Sequence, residues 1–124
     1  MLKIYHNPRC AKSREGLNYL KQHGYEFEVI NYMDNPIGKE ALMTIMMKLN
    51  LKPMELIRKQ EEIFRKELKG KVFTDSEWIK IILQEPRLLQ RPIVESKYKA
   101  VIAIPPEKIQ ELLKQQAYGI PNRA

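Results

Sequence analysis

Ile4-Tyr5-His6-Asn7-Pro8-Arg9-Cys10-Ala11-Lys12-Ser13-Arg14 joins an apolar strand pattern to a helical one, and the single cysteine of the chain stands at the joint. Leu2 to Tyr5 carries the strand pattern. From Ala11 to His23 the pattern is helical, with Leu17 and Leu20 three apart and Gly24 as a stop signal. Cys10 therefore opens a loop-to-helix junction, where backbone N–H groups lack internal partners and the helix dipole is positive. Arg9, Lys12 and Arg14 crowd it in sequence. Each of these features favours the thiolate, which is the nucleophilic form. An inert cysteine behaves as a small buried hydrophobe. Such a residue belongs inside an apolar run, not between an arginine and Ala-Lys-Ser-Arg.

Outward from this junction the pattern continues into a second strand. Tyr25 to Ile30 alternates, with Tyr25, Phe27 and Val29 on one face and Glu26 and Glu28 on the other. Strand, helix and strand in this order predict a parallel pair with a right-handed crossover. Asn35-Pro36-Ile37-Gly38 reads as a turn. Leu42, Ile45, Met46 and Leu49 then recur at helical spacing, with Met46 and Met47 expected as core filler rather than as a metal or cofactor box. Pro53 to Ile57 suggests a short helical turn and Glu61 to Leu68 another helix. Thr74-Asp75-Ser76-Glu77 is a capping box that opens a helix carrying Trp78, Ile81 and Ile82 and ending before Pro86.

Arg91-Pro92-Ile93-Val94 starts a third strand, with Tyr98 to Ile102 as its hairpin partner across Glu95-Ser96-Lys97. Pro105-Pro106-Glu107 opens a last helix, with Ile109, Leu112 and Leu113 as its apolar stripe. The chain thus reads as an α/β protein of βαβ…ββα order, with a helical insertion at about 36–84 between its halves. One domain is expected over 1–115, and a tail over 116–124.

Composition bounds the function. The 124 residues are 44% hydrophobic and 30% charged, which suits one soluble domain with a genuine core. No apolar run is long enough to span a bilayer, and no signal-peptide pattern opens the chain. A single cysteine excludes an internal disulfide, so the expected compartment is the reducing cytoplasm. The net charge of +7 is dispersed along the chain, which argues against nucleic acid as a partner and for a solvated surface with a focused anion site.

His6-Asn7-Pro8-Arg9-Cys10-Ala11-Lys12-Ser13-Arg14, Leu56-Ile57-Arg58-Lys59, Leu89-Gln90-Arg91-Pro92-Ile93-Val94 and Pro105-Pro106-Glu107 together resemble the glutaredoxin-dependent arsenate reductase family, also called ArsC/Spx-like. The resemblance spans nearly the whole chain. It implies a thioredoxin-type fold in which Pro92 is cis and faces the cysteine. It also implies that Cys10 attacks an arsenate-like oxyanion, that glutathione resolves the adduct as co-substrate, and that glutaredoxin recycles the mixed disulfide. With one cysteine, an external thiol has to resolve any adduct. No resident cofactor or metal is expected.

By the same resemblance Arg58 and Arg91 bind the oxyanion, a task suited to the planar guanidinium fork. The supporting set is His6, Asn7, Lys12, Ser13, Arg14 and Pro92. The chain departs from the family in one place. Reductases of this type carry a third arginine just before the Pro-Pro-Glu segment, where this chain has Ile104. A lost charge-assisted hydrogen bond of about 1.5–3 kcal/mol corresponds to roughly ten- to a hundredfold weaker arsenate engagement. Lys97 or Lys99 could stand in for it. The alternative is a regulator similar to Spx that binds RNA polymerase. Here Ser13 replaces the second cysteine of the Spx Cys-x-x-Cys pair, so a switch by internal disulfide is excluded.

Overall fold

A computed structural model describes residues 1–112 of the chain. Strand β1 (Leu2–His6), helix α1 (Ala11–Gln22) and strand β2 (Phe27–Asn31) form the expected parallel βαβ unit. Gly24, with φ +70°, turns the chain out of α1, a conformation that costs glycine little. Strands β3 (Ile93–Glu95) and β4 (Ala100–Ile102) follow as an antiparallel pair, and β3 also runs antiparallel to β1. The sheet order is β2-β1-β3-β4. Between the two halves lie helix α2 (Lys39–Leu49), a 3-10 turn at Pro53–Leu56, a π-helical turn at Phe64–Leu68, helix α3 (Asp75–Gln84) and a second 3-10 turn at Pro86–Leu88. Thr74 and Glu77 cap α3 reciprocally, as their spacing predicts.

Successive residues of a strand face opposite sides of the sheet, so β1 and β3 feed two cores. Tyr5 and Ile93 join Tyr32, Leu42, Ile45, Trp78 and Leu88 under α2 and α3. Ile4 and Val94 join Leu20, Val101, Ile109 and Leu112 under α1 and the last helical turns. At the end of the central pair sits a buried carboxylate. Tyr5 donates to Glu95 Oε1 at 2.8 Å, and Lys48 Nζ donates to Glu95 Oε2 at 2.6 Å and to the Ser96 carbonyl at 2.8 Å. Burial and the Glu95 charge raise the Tyr5 pKa well above that of a free phenol. A buried carboxylate is tolerated when it is paired and hydrogen-bonded in this way.

Several expectations are corrected. Met46 packs against the core, but Met47 is 75% exposed because it lies past the edge of the α2 apolar face. Val29 is exposed although it alternates with Phe27, since β2 is an edge strand. Glu95 belongs to β3, and the hairpin turn is Ser96 to Lys99, closed by the Ser96 N–H on the Lys99 carbonyl at 2.7 Å. The last helix begins as a 3-10 turn, Pro106–Ile109. Leu113, the expected boundary at 115 and the tail lie outside the described residues. Among the described residues no helix is long and apolar enough to cross a membrane, and no group of three His, Cys, Asp or Glu side chains could hold a metal ion.

Candidate active site

Cys10 occupies the N-cap of α1, half-buried, at the end of a loop tied down from three sides. Its own N–H donates to the Asn7 carbonyl at 3.0 Å, and Asn7 Oδ1 accepts from the Arg9 N–H at 3.0 Å. This is the Asx-type turn that asparagine favours. Ser13, fully buried, reaches back from the first turn of the helix. Its Oγ accepts from the Asn7 N–H at 2.9 Å and pairs with His6 Nδ1 at 2.7 Å. Arg14 Nη1 donates to the Pro8 carbonyl at 2.9 Å. His6, Asn7, Ser13 and Arg14 therefore hold the loop that carries the cysteine.

Burial pushes the Cys10 thiol up, but other groups outweigh it and bring the pKa below the ordinary value. The largest are the Ser13 amide and the guanidinium of Arg91, which acts through hydrogen bonding and charge; the Lys12 amide adds to them. The sulfur faces these first-turn amides without closing a short capping bond. The helix N-terminus thus acts on the cysteine as the sequence implies. The cation responsible differs from the expectation: Arg9 is exposed, Arg14 is turned back onto Pro8, and the charge at the sulfur comes from Arg91, far along the chain. Burial also lowers the His6 pKa, opposed by a hydrogen bond to Ser13 and reinforced by the charges of Arg14 and Lys21.

The residue after Arg91 packs on the helix that Cys10 caps. The Arg91-Pro92 peptide is cis, and the Pro92 ring packs on α1 at Gly16, where an added Cβ would lie 2.6 Å from Pro92 Cγ. The Ile104-Pro105 peptide is also cis, which the sequence did not suggest. Arg58 arrives by a different route. Ile57 and Leu89 form an isolated antiparallel bridge, with the Arg58 N–H on the Leu88 carbonyl at 2.6 Å and the Gln90 N–H on the Leu56 carbonyl at 2.8 Å. That bridge sets the Arg58 backbone against Leu88, and the Arg58 and Arg91 side chains then share one cleft and one carboxylate, Glu61.

Arg58 and Arg91 line one cleft of about 270 Å³ with Lys12, Gln60, Gln90, Ile102, Ile104 and Lys108. Ile104 thus stands in the same cleft as the two arginines. Lys97 and Lys99 do not replace the missing charge: Lys97 lies over the Tyr98 ring at 5.3 Å, and Lys99 lines a separate cleft with Leu49 and Glu111. The lysines that do reach the cleft are Lys12 and Lys108.

Two site residues were not read from sequence. Tyr32, 1% exposed, carries a hydroxyl pushed by burial up to about 12 against the opposing charge of Arg91. Neither its oxygen nor Arg91 Nε has a hydrogen-bond partner among the described residues, which leaves two buried polar atoms at the site. An aromatic residue just past a strand reads as core, and no sequence signal marks it otherwise. Glu61 ion-pairs with Arg58 and lies 3.7 Å from Arg91 Nη2. Its spacing of three from Arg58 was the available signal.

The chain is similar to known proteins over most of its length. The model of the ArsC family matches residues 5–112. The uncharacterised protein YfgD of Escherichia coli K12 is 38% identical over 114 residues, covering 90% of this chain and 96% of that one. An arsenate reductase of Neisseria meningitidis is 34% identical over 114 residues, covering 90% and 97%. The solved structure of an arsenate reductase from Vibrio cholerae superposes with a TM-score of 0.83 at 32% identity, covering 89% of this chain and 95% of that one.

Proposed function

Because this chain belongs to the ArsC family, we propose that it is a cytoplasmic thiol oxidoreductase that reduces arsenate or a similar small oxyanion through Cys10. What supports the reading is that the Arg91 guanidinium, which helps lower the Cys10 pKa, shares a cleft with Arg58. A thiolate and an oxyanion are like charges, so the site has to supply guanidinium groups to bring them together. Cys10 attacks arsenic and an arsenate oxygen leaves as water. The glutathione thiolate attacks the Cys10 sulfur of the adduct, the As–S electron pair leaves with arsenic as arsenite, and a glutaredoxin thiolate then takes the glutathione from the resulting Cys10–glutathione disulfide and releases Cys10 as the free thiol. Over the cycle arsenate accepts two electrons, two external thiols become one disulfide, and arsenite and water are released. Lys12 and Lys108 add long-range attraction to the cleft. Ile104 removes one direct bond from it, and turnover is expected to be slow for that reason.

The test is arsenate-dependent NADPH oxidation in the presence of glutathione, glutaredoxin and glutathione reductase. Activity in the native protein that vanishes in Cys10→Ser supports the reading. No arsenate-dependent turnover at any glutathione concentration overturns it.

A further inference from the structure

One carboxylate holds both arginines of the site. Glu61 Oε2 pairs with Arg58 Nη1, and the same oxygen lies 3.7 Å from Arg91 Nη2. The arrangement is built into the backbone. The Glu61 N–H donates to the Arg58 carbonyl at 3.2 Å and the Arg65 N–H to the Glu61 carbonyl at 3.1 Å, so a tight turn carries Glu61 back to the arginine three residues before it. None of the three side chains is more than one-fifth exposed, so solvent screens the group less than it would a surface pair. Arg91 is meanwhile incompletely used: Nη1 donates to the Arg87 carbonyl at 2.8 Å, the contact to Glu61 is long, and Nε has no partner among the described residues.

We propose that Glu61 is a competitor built into the site: a tethered carboxylate that occupies the Arg58–Arg91 pair and has to be displaced by the incoming anion. The inference rests on reading Cys10 and the arginine pair as an oxyanion site. Glu61 cancels one of the two guanidinium charges. An anion that makes only one weak contact gains nothing by entering. A tetrahedral dianion offers several oxygens to both forks and can take the arginines from a single carboxylate oxygen.

The experiment measures binding without turnover. Cys10 alkylation by iodoacetamide is followed at increasing inorganic arsenate and, separately, inorganic phosphate, each protein being scaled to its own anion-free rate. Glu61→Gln keeps the size and removes the competing charge. It is expected to lower the half-protecting concentration of both anions by about ten- to a hundredfold. Glu62→Gln makes the same change in net charge at an exposed residue paired with Lys66, and is expected to leave protection unchanged. Equal or weaker protection in Glu61→Gln, or an equal gain in Glu62→Gln, overturns the proposal. If circular dichroism shows Glu61→Gln to be unfolded, Glu61→Asp, too short to hold both guanidinium groups, carries the same expectation. Tighter protection with no arsenate turnover in either protein would remove the reductase reading and leave this one standing. Turnover with unchanged protection would remove only this one.

Discussion

Replacing Gly16 by alanine tests whether α1, and with it Cys10, is seated on the Pro92 ring. An alanine Cβ would stand 2.6 Å from Pro92 Cγ, about 0.8 Å inside the 3.4 Å at which ordinary contact begins, with Ile4 Cδ1 at 3.8 Å beside it. The proline ring is closed and cannot swing aside, and Ile4 is fully buried. Intrinsic propensity predicts the opposite sign, because alanine is favoured over glycine inside a helix by about 1 kcal/mol. Overpacking a filled core costs about 1–3 kcal/mol, and a clash this deep against a rigid ring belongs at the upper end. The net expectation is a loss of about 2 kcal/mol, or a Tm lower by roughly 5–10 °C for a chain of this length. Urea unfolding measures it, through a lower midpoint at unchanged m. The displaced helix also carries Cys10 away from Arg91, so alkylation at neutral pH slows in the same variant. A Gly16→Ala protein as stable as its parent, or more so, would show that propensity decides and that the Pro92 seat does not.

Arg91→Gln is expected to raise the Cys10 pKa and to slow its alkylation at neutral pH by about tenfold, the value of one charge-assisted bond. Arg9→Gln, at an exposed residue, is expected to leave the rate nearly unchanged, and an equal effect of the two would refute the assignment. His6 supplies a pH dependence. Its folded pKa lies below the unfolded 6.5, so its contribution to stability is complete above 6.5 and is lost as the pH falls through the folded value. Urea midpoints measured between about pH 7 and pH 5 should decline, and His6→Gln should flatten the decline; parallel slopes would count against it. Ile104→Arg is expected to tighten arsenate binding by about ten- to a hundredfold and to raise turnover, as seen by titration and coupled assay. A native protein already as active as the variant would mean that Lys108 supplies the missing charge.

The parts of the structure legible in sequence were those fixed by local rules. The Thr74–Glu77 box, the helical spacing of Leu42 and Ile45, and the helix start at Cys10 each depend on residues a few positions apart. The family resemblance added Pro92 and the two arginines, which no periodicity would have selected. Opaque to sequence were facts about distant partners. The cation that acts on Cys10 is Arg91 and not its chain neighbours, because a reactive site is assembled by the sheet and by the Ile57–Leu89 bridge. Met47 and Val29 are exposed because the edge of a helix face and the edge of a sheet cannot be read from apolar character alone. No sequence signal marks Tyr32, whose hydroxyl has no hydrogen-bond partner among the described residues.

The central pairing of β1 with β3 has a consequence for how the chain is made. Tyr5 and Glu95, joined across that pair, are 90 residues apart. During synthesis at about 5–20 residues per second, the first strand therefore waits roughly 5 to 20 seconds for its neighbour to be translated. Over that interval the βαβ unit can form, since β2 follows closely, yet β1 keeps one row of backbone donors and acceptors open, beside side chains such as Ile4 that the finished fold buries completely. Such a row is a template for any other extended segment. The middle of the sheet stays open until the second half of the chain is made, and until then the nascent chain is open there to wrong strand partners that the completed protein excludes.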